Sequence, residues 1–255
     1  MNIRPTIGVA LIVKNEEDEI KDCLELVKWA DEIVVLDSGS VDKTVEIAQQ
    51  YTGKVQVTDW IGYGAQKNRA IALLTTDWIL SIDADERVTE DLGNEIIKVI
   101  SNDSCDAYEI PRRSSYCGRF IRHGGWSPDY VLRLAKKNKA CFTEPEVHER
   151  MQVEGVCGKL KCPILHYTYR DVRDVLDMLQ RYSDAGAKEL YKAGRKGGIL
   201  QAIFHGLWAF LKAYILRLGL FDGREGFMLA VSNAELVYYK YMKLYYLHKK
   251  HNEAS

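Results

Sequence analysis

The chain has 255 residues, 47% hydrophobic and 28% charged, with five prolines and no low-complexity tract, a composition that excludes a disordered chain and long flexible linkers. The formal net charge is −1, which excludes a molecule that holds nucleic acid by bulk positive charge. That charge is unevenly spread, −6 over residues 1–166 and +5 over residues 167–255, so an acidic front precedes a basic tail.

Residues 6–13 (TIGVALIV) are a short β-rich apolar run that predicts a buried parallel strand. The run is too short for a secretory signal, so none is expected. Asn15 is expected to cap a helix reaching Trp29, with the acids of KNEEDE in its first turn. Residues 32–36 (EIVVL) predict a second strand, ending at Asp37-Ser38-Gly39-Ser40, and residues 42–51 a helix. Residues 55–58 form a weaker strand, and 62–74 a loop feeding a helix. Residues 78–82 (WILSI) predict a strand that ends at Asp83-Ala84-Asp85-Glu86, followed by a helix over about 90–100. The β-α alternation with short links predicts a parallel sheet covered by helices on both faces. The six cysteines form no CxxC pair, so zinc is not expected and the thiols read as reduced, in a cytosolic protein.

Ligands of such sheets bind outside the carboxyl ends of the strands. Here three strands end in Asn15/Glu16, Asp37/Ser38 and Asp83/Asp85. A single aspartate there is ordinarily a turn residue, but three polar ends on one edge suggest a site. Neither GxGxxG after the first strand nor GxxxxGK[ST] is present, so dinucleotide and P-loop phosphate cradles are disfavoured. Without a glycine cradle, a diphosphate needs another counter-charge. Asp83 and Asp85, in D-x-D, are the expected holders of a divalent cation that would neutralise a departing diphosphate.

The run IGVALIVKNEEDEI, then VVLDSGSVDKT, then AQKNRAIALLTTDWILSIDADE resembles the family 2 inverting glycosyltransferases of GT-A fold. Further on, GGWSPDYVLRL, EPEVHERM, ILHYTYRD and LRLGLFDGREGF resemble the lipopolysaccharide inner-core β-glucosyltransferase subgroup. The resemblance implies a GT-A domain, a Rossmann-like mostly parallel sheet, with a donor half at 1–110, an acceptor-side half at 111–170 and a helical region at 171–255. It implies a UDP-sugar donor and Mg²⁺ or Mn²⁺. By the same resemblance Glu16 faces the nucleoside and Asp37 bonds the uracil or ribose. Asp83 and Asp85 meet the metal and donor sugar, and Lys67 or Arg69 touches the donor unless both belong to a solvated helix face. His166 follows the apolar run 163–165 and is implied as a third metal ligand, the alternative being a satisfied structural histidine.

An inverting transfer needs one carboxylate to take the acceptor hydroxyl proton. Asp129, Glu144, Glu146 and Glu149 are candidates, and Glu149, in Val147-His148-Glu149, is preferred to Asp129. His148 is expected to orient that carboxylate or approach a phosphate. Trp126, after Gly124-Gly125, either stacks on an acceptor sugar or anchors its loop in the core.

Helices are expected over residues 172–190, 199–216 and 226–246. Residues 197–211 carry no charge, but a bilayer span needs about 20 apolar residues, so a helix lying on the membrane or packed in a core is expected rather than one crossing it. Interleaved tyrosines and lysines from Tyr238 to Tyr246 suit an anionic interface. The expected protein is therefore a metal-dependent glycosyltransferase on the inner face of the cytoplasmic membrane. Its expected partners are a UDP-sugar, such as UDP-glucose, a lipid-linked glycan acceptor and anionic lipid, without nucleic acid. The alternatives are the same donor chemistry on a polyprenyl phosphate, capsule glycan or peptide, or a non-catalytic nucleotide-sugar-binding protein.

Overall fold

The computed structural model describes residues 4–102, 104–143 and 150–253. The chain divides into two compact units, Met1–Arg112 with Asp129–His166, and Arg113–Pro128 with Tyr167–Ser255.

In the first unit the chain runs β1 (Ile7–Val13), α1 (Ile20–Glu25), β2 (Glu32–Asp37), α2 (Thr44–Gln49), β3 (Val55–Val57), α3 (Tyr63–Ala72) and β4 (Trp78–Ser81). It continues through β5 (Glu86–Arg87), α4 (Glu90–Ser101), β6 (Ala107–Tyr116), β7 (Arg119–Phe120), β8 (Asp129–Lys136), β9 (Ala140–Phe142), β10 (Met151–Val153), β11 (Cys157–Lys159) and β12 (Ile164–Tyr169). Of these, β7 and the last residues of β6 and β12 belong to the second unit.

The main sheet has the order β3-β2-β1-β4-β8-β6-β12-β5, with β11 and β7 joined to β6. β3, β2, β1 and β4 are mutually parallel, whereas β8 runs antiparallel to both β4 and β6. The expected α/β class, a GT-A-type mixed sheet followed by a helical region, is what the chain adopts. Parallel pairing is concentrated in the first four strands, where buried runs such as IGVALIV leave both sheet faces apolar. One core lies against α1 and α4 through Ile20, Leu24, Leu92 and Ile96, and the other against α3 through Ala70 and Ile71, with Leu74 just beyond its end.

The first helix is shorter than the sequence suggests. α1 covers only Ile20–Glu25, and Asn15 is not its cap. Asn15 sits at φ 56, its Oδ1 accepts from the Val41 amide at 2.9 Å, and its own amide donates to Ser40 Oγ at 2.8 Å. The acids of KNEEDE thus lie in a loop tied to the end of β2 instead of entering a first helical turn.

The second unit contains α5 (Val172–Lys192), α6 (Ile199–Leu211), one π turn at Lys212–Leu216, a 3₁₀ turn at Gly219–Asp222 and α7 (Gly223–Glu253). Asp171 caps α5 by accepting from the amides of Arg173 and Asp174 at 2.8 and 3.2 Å. Tyr116, Ile121, Val175, Met178, Leu179 and Leu229 form its core. Asp222 is buried and receives the amides of Arg122 and His123 at 3.1 and 2.7 Å, which pins the loop before Gly124. Small residues let α6 approach α7: a Cβ on Gly206 would lie 3.2 Å from Ala234 O.

β1 is flanked by β2 and β4, and its Gly8 has no room to grow, because a Cβ there would lie 2.5 Å from Leu74 Cδ2 and 2.6 Å from Thr76 Oγ1. Overpacking a tight core costs about 1–3 kcal/mol. Gly8→Ala is therefore expected to lower unfolding stability by about that amount. A shifted urea midpoint at constant m value is the measurement that checks it.

Candidate active site

β2, β1 and β4 are neighbours and parallel, so their carboxyl ends open on one edge, with Val13 opposite Asp37 in the register. A cavity of about 530 Å³ lies there, lined by Ile12, Val13, Lys14, Glu16, Trp60, Tyr63, Lys67, Asp83, Ala84, Asp85 and His166. Glu16, Lys67, Asp83, Asp85 and His166 are all candidates on sequence grounds. They reach the cavity from β1, α3, β4 and β12, which are far apart in the chain.

The D-x-D turn is held from below. Arg87 donates to Ala84 O at 2.7 Å and pairs with Glu19 just ahead of α1. Cys23 of α1 is fully buried, with its Sγ 3.7 Å from Asp83 O. Burial pushes the Cys23 thiol well above its usual range, so it is neutral and inert.

The two aspartates have different partners. Asp83 Oδ1 is 3.1 Å from Lys67 Nζ, and its Oδ2 accepts from Arg133 Nη2 at 2.5 Å. Burial alone would raise the Asp83 carboxyl, but the Arg133 and Lys67 charges outweigh it and hold it far below the usual carboxylate range. Asp85 Oδ2 stands 3.1 Å from His166 Nε2. β12 brings His166 there through antiparallel pairing with Glu86 of β5.

These partners bear on how a metal would be held. Asp83 already meets two cations, whereas Asp85 offers a carboxylate oxygen beside an imidazole nitrogen. Among the described residues no three His, Cys, Asp or Glu side chains cluster closely enough to enclose a metal. A Mg²⁺-type site typically uses one or two carboxylates and completes its shell with water and substrate phosphate. The Asp85 carboxylate fits a cation of that kind, with the His166 nitrogen 3.1 Å away as a neighbouring donor atom.

α3 distinguishes the two basic candidates. Lys67 is buried and faces the cavity, while Arg69 turns outward to Asp59 Oδ1 at 2.8 Å, since residues two apart lie on nearly opposite helix faces. Asp37 does not line the cavity. Its Oδ2 accepts from the amides of Gly39 and Ser40, both at 2.8 Å, and its Oδ1 from the Ser40 hydroxyl, so the fully buried carboxylate shapes its own turn. Asp129 is likewise not a lining residue and pairs with Arg112 at 2.8 Å. Glu149 and His148, with Glu144 and Glu146, lie outside the described residues. In the second unit the partly buried Trp126 packs edge-on to Tyr116, ring centres 5.9 Å apart, and against Tyr169 at 6.0 Å.

Sequence reasoning missed Trp60 and Tyr63, which meet edge to face at 4.7 Å on the cavity wall. Both are well exposed, and Gly62 between them adopts φ 107. The W-x-G-Y-G spacing is their available signal, an aromatic pair straddling a glycine just ahead of a helix. Sequence reasoning also missed Glu86 and Arg133.

Residues 9–154 match the family described as Glycosyl transferase family 2. An uncharacterized glycosyltransferase of Rickettsia typhi is 32% identical over 87% of this chain and 80% of its own length. A lipopolysaccharide core biosynthesis glycosyltransferase, LpsC, of Rhizobium meliloti is 28% identical over 95% of this chain and 93% of its own. Among solved structures, Staphylococcus aureus TarS is 16% identical and covers 72% of this chain and 40% of its own, with a TM-score of 0.47. Glucosyl-3-phosphoglycerate synthase from Mycobacterium tuberculosis, solved with Mg²⁺ and UDP, is 24% identical over 45% of this chain and 44% of its own, with a TM-score of 0.37. The match over more than half the chain, and relatives alike over nearly all of it, show that this protein belongs to glycosyl transferase family 2.

Proposed function

We propose that the chain is a metal-dependent inverting glycosyltransferase that moves glucose from UDP-glucose to a lipid-linked acceptor such as lipopolysaccharide inner core. The observation that carries this reading is the convergence of Glu16, Lys67, Asp83, Asp85 and His166 on one cavity at the carboxyl edge of the sheet. The name of the Rhizobium relative, a lipopolysaccharide core enzyme, supports the acceptor class.

In this reading Asp85 and His166 hold a divalent cation, which when bound neutralises the diphosphate as it leaves. Lys67 adds a fixed positive charge beside the diphosphate. Asp83, fixed by its two cations, accepts hydrogen bonds from donor hydroxyls. Glu16 faces the nucleoside, and Asp37 contributes by shaping the loop from Ser38 to Ser40. Glu149 takes the acceptor proton as the acceptor oxygen attacks the anomeric carbon, which inverts that centre. Asp129 is the second choice, its carboxylate being bound to Arg112.

The second unit supports a location at a membrane surface. Leu200, Phe204, Leu207, Trp208 and Phe221 are each more than half exposed. Residues 191–221 contain five Lys or Arg and no acid. A soluble surface rarely leaves such a patch bare, and an anionic membrane matches both its greasiness and its charge. By length and composition Ile199–Leu216 could cross a bilayer, and only 17% of it is buried. Against crossing, α6 is packed on α7, where a Cβ on Gly206 would lie 3.2 Å from Ala234 O. A span would draw Lys240 and Lys243 of α7 in with it. α6 therefore lies in the plane of the inner leaflet of the cytoplasmic membrane, apolar face down.

Three outcomes test this. With Mn²⁺ and a heptose-containing lipid acceptor, UDP release from UDP-glucose should be lost in Asp85→Ala and in EDTA. Full activity of that variant in chelator would refute the metal reading, and turnover only on another acceptor would move the assignment to a different glycan. Proton abstraction contributes typically ~10²–10⁴-fold, so Glu149→Gln should lower kcat by that order while UDP-glucose binding persists. Normal turnover of Glu149→Gln with a collapsed Asp129→Asn would pass the role to Asp129. In flotation assays the protein should bind anionic vesicles at low salt and leave them near 1 M salt, where charges are screened beyond ~3 Å. Extraction by detergent alone would instead mean a true span.

A further inference from the structure

Beneath the D-x-D turn Asp83 belongs to a closed ring of hydrogen bonds whose other two members, Glu86 and Arg133, have no direct role in the transfer as described above. Glu86 is fully buried, and Arg133 is 7% exposed. Arg133 Nη2 donates both to Glu86 Oε1 at 2.8 Å and to Asp83 Oδ2 at 2.5 Å. Glu86 Oε2 accepts the backbone amide of Asp83 at 3.0 Å. The pair therefore grips Asp83 twice, Glu86 by its main chain and Arg133 by its carboxylate. Lys67 closes on the other carboxylate oxygen at 3.1 Å. Arg133 comes from β8, which pairs with β4 through Leu80 and Leu134.

Stability alone does not account for this arrangement. Burying an ion pair costs desolvation that its attraction seldom repays, and apolar side chains of similar volume are often as stable or better. Here the cost is visible, because Arg133 Nε is buried with no hydrogen-bond partner among the described residues. What the pair achieves that an apolar filler would not is direction. With Arg133 and Lys67 on its two oxygens, Asp83 has one orientation and its charge is cancelled at the place where a diphosphate must approach.

We infer that Glu86 and Arg133 are positioning residues for donor binding, fixing the Asp83 carboxylate in the orientation that receives the sugar nucleotide. The inference rests on the donor reading of the cavity.

The double variant R133M/E86Q isolates positioning from charge, since it removes one positive and one negative charge and leaves the net charge of the Asp83, Lys67, Glu86 and Arg133 group at zero. It also avoids the stranded buried carboxylate that R133M alone would create. Titration of UDP-glucose with Mg²⁺, without acceptor, reads affinity, and a thermal melt reads fold. The expected result is a melting temperature within a few degrees of the parent with donor affinity at least ~10-fold weaker, a loss that E86Q alone, which keeps the Arg133 grip, largely escapes. A folded double variant that binds UDP-glucose as tightly as the parent overturns the inference. So does a double variant that melts far lower yet binds normally when folded, since the pair would then serve stability alone. A parent protein that binds no UDP-glucose is a separate result, which overturns the donor reading itself and this assignment with it.

Discussion

The parallel pairing of β2, β1 and β4 is the constraint on which the site depends. Parallel strands place all their carboxyl ends on one edge, so residues that follow each strand are brought together whatever their separation in sequence. That edge receives Glu16 after β1, the Ser38–Ser40 turn after β2 and the D-x-D after β4. Slipping one strand by a residue would turn its buried side chains to the opposite face. The apolar runs of these strands thus fix the chemistry as well as the core.

The edge is crowded with charge, and the protein handles it by pairing. Asp83 is matched by Lys67 and Arg133, and Arg133 in turn by Glu86. Arg87 is matched by Glu19. Asp85 meets only an imidazole among its described close partners, so its carboxylate is the one with capacity left for a cation. Two neighbouring aspartates of one motif thereby sit in different electrostatic surroundings.

Much of this architecture is legible in the amino-acid sequence. The buried strands announce themselves as unbroken apolar runs, and β1, β2 and β4 fall within a residue or two of where those runs lie. That Asp85 and His166 stand at strand ends is legible, because each follows or ends an apolar run, and both line the same cavity. α1 is overextended in the sequence reading because the acids of KNEEDE imitate a helix start, while the actual partners of Asn15 are a strand and a loop away, at Ser40 and Val41. β6 escapes notice because AYEIPRRSSY is polar along much of its length and holds its place by pairing on both sides. Arg133 cannot be read as a buried ion-pair partner, since its neighbours are set by the β4–β8 pairing of segments some fifty residues apart. The turn that Asp37 shapes through both carboxylate oxygens is not legible either, since it depends on local backbone geometry.

The packing of Cys23 under the D-x-D turn gives this edge of the sheet an internal clock. Its thiol is sealed between α1 and the Asp83 carbonyl, and burial keeps it protonated. A thiol reagent can reach it only when α1 lifts away, an opening whose frequency is set by local rather than global unfolding. The exposed Cys141 and Cys157 have no such protection. The rate at which Cys23 is modified, relative to those two, therefore counts how often the floor of the cavity comes apart.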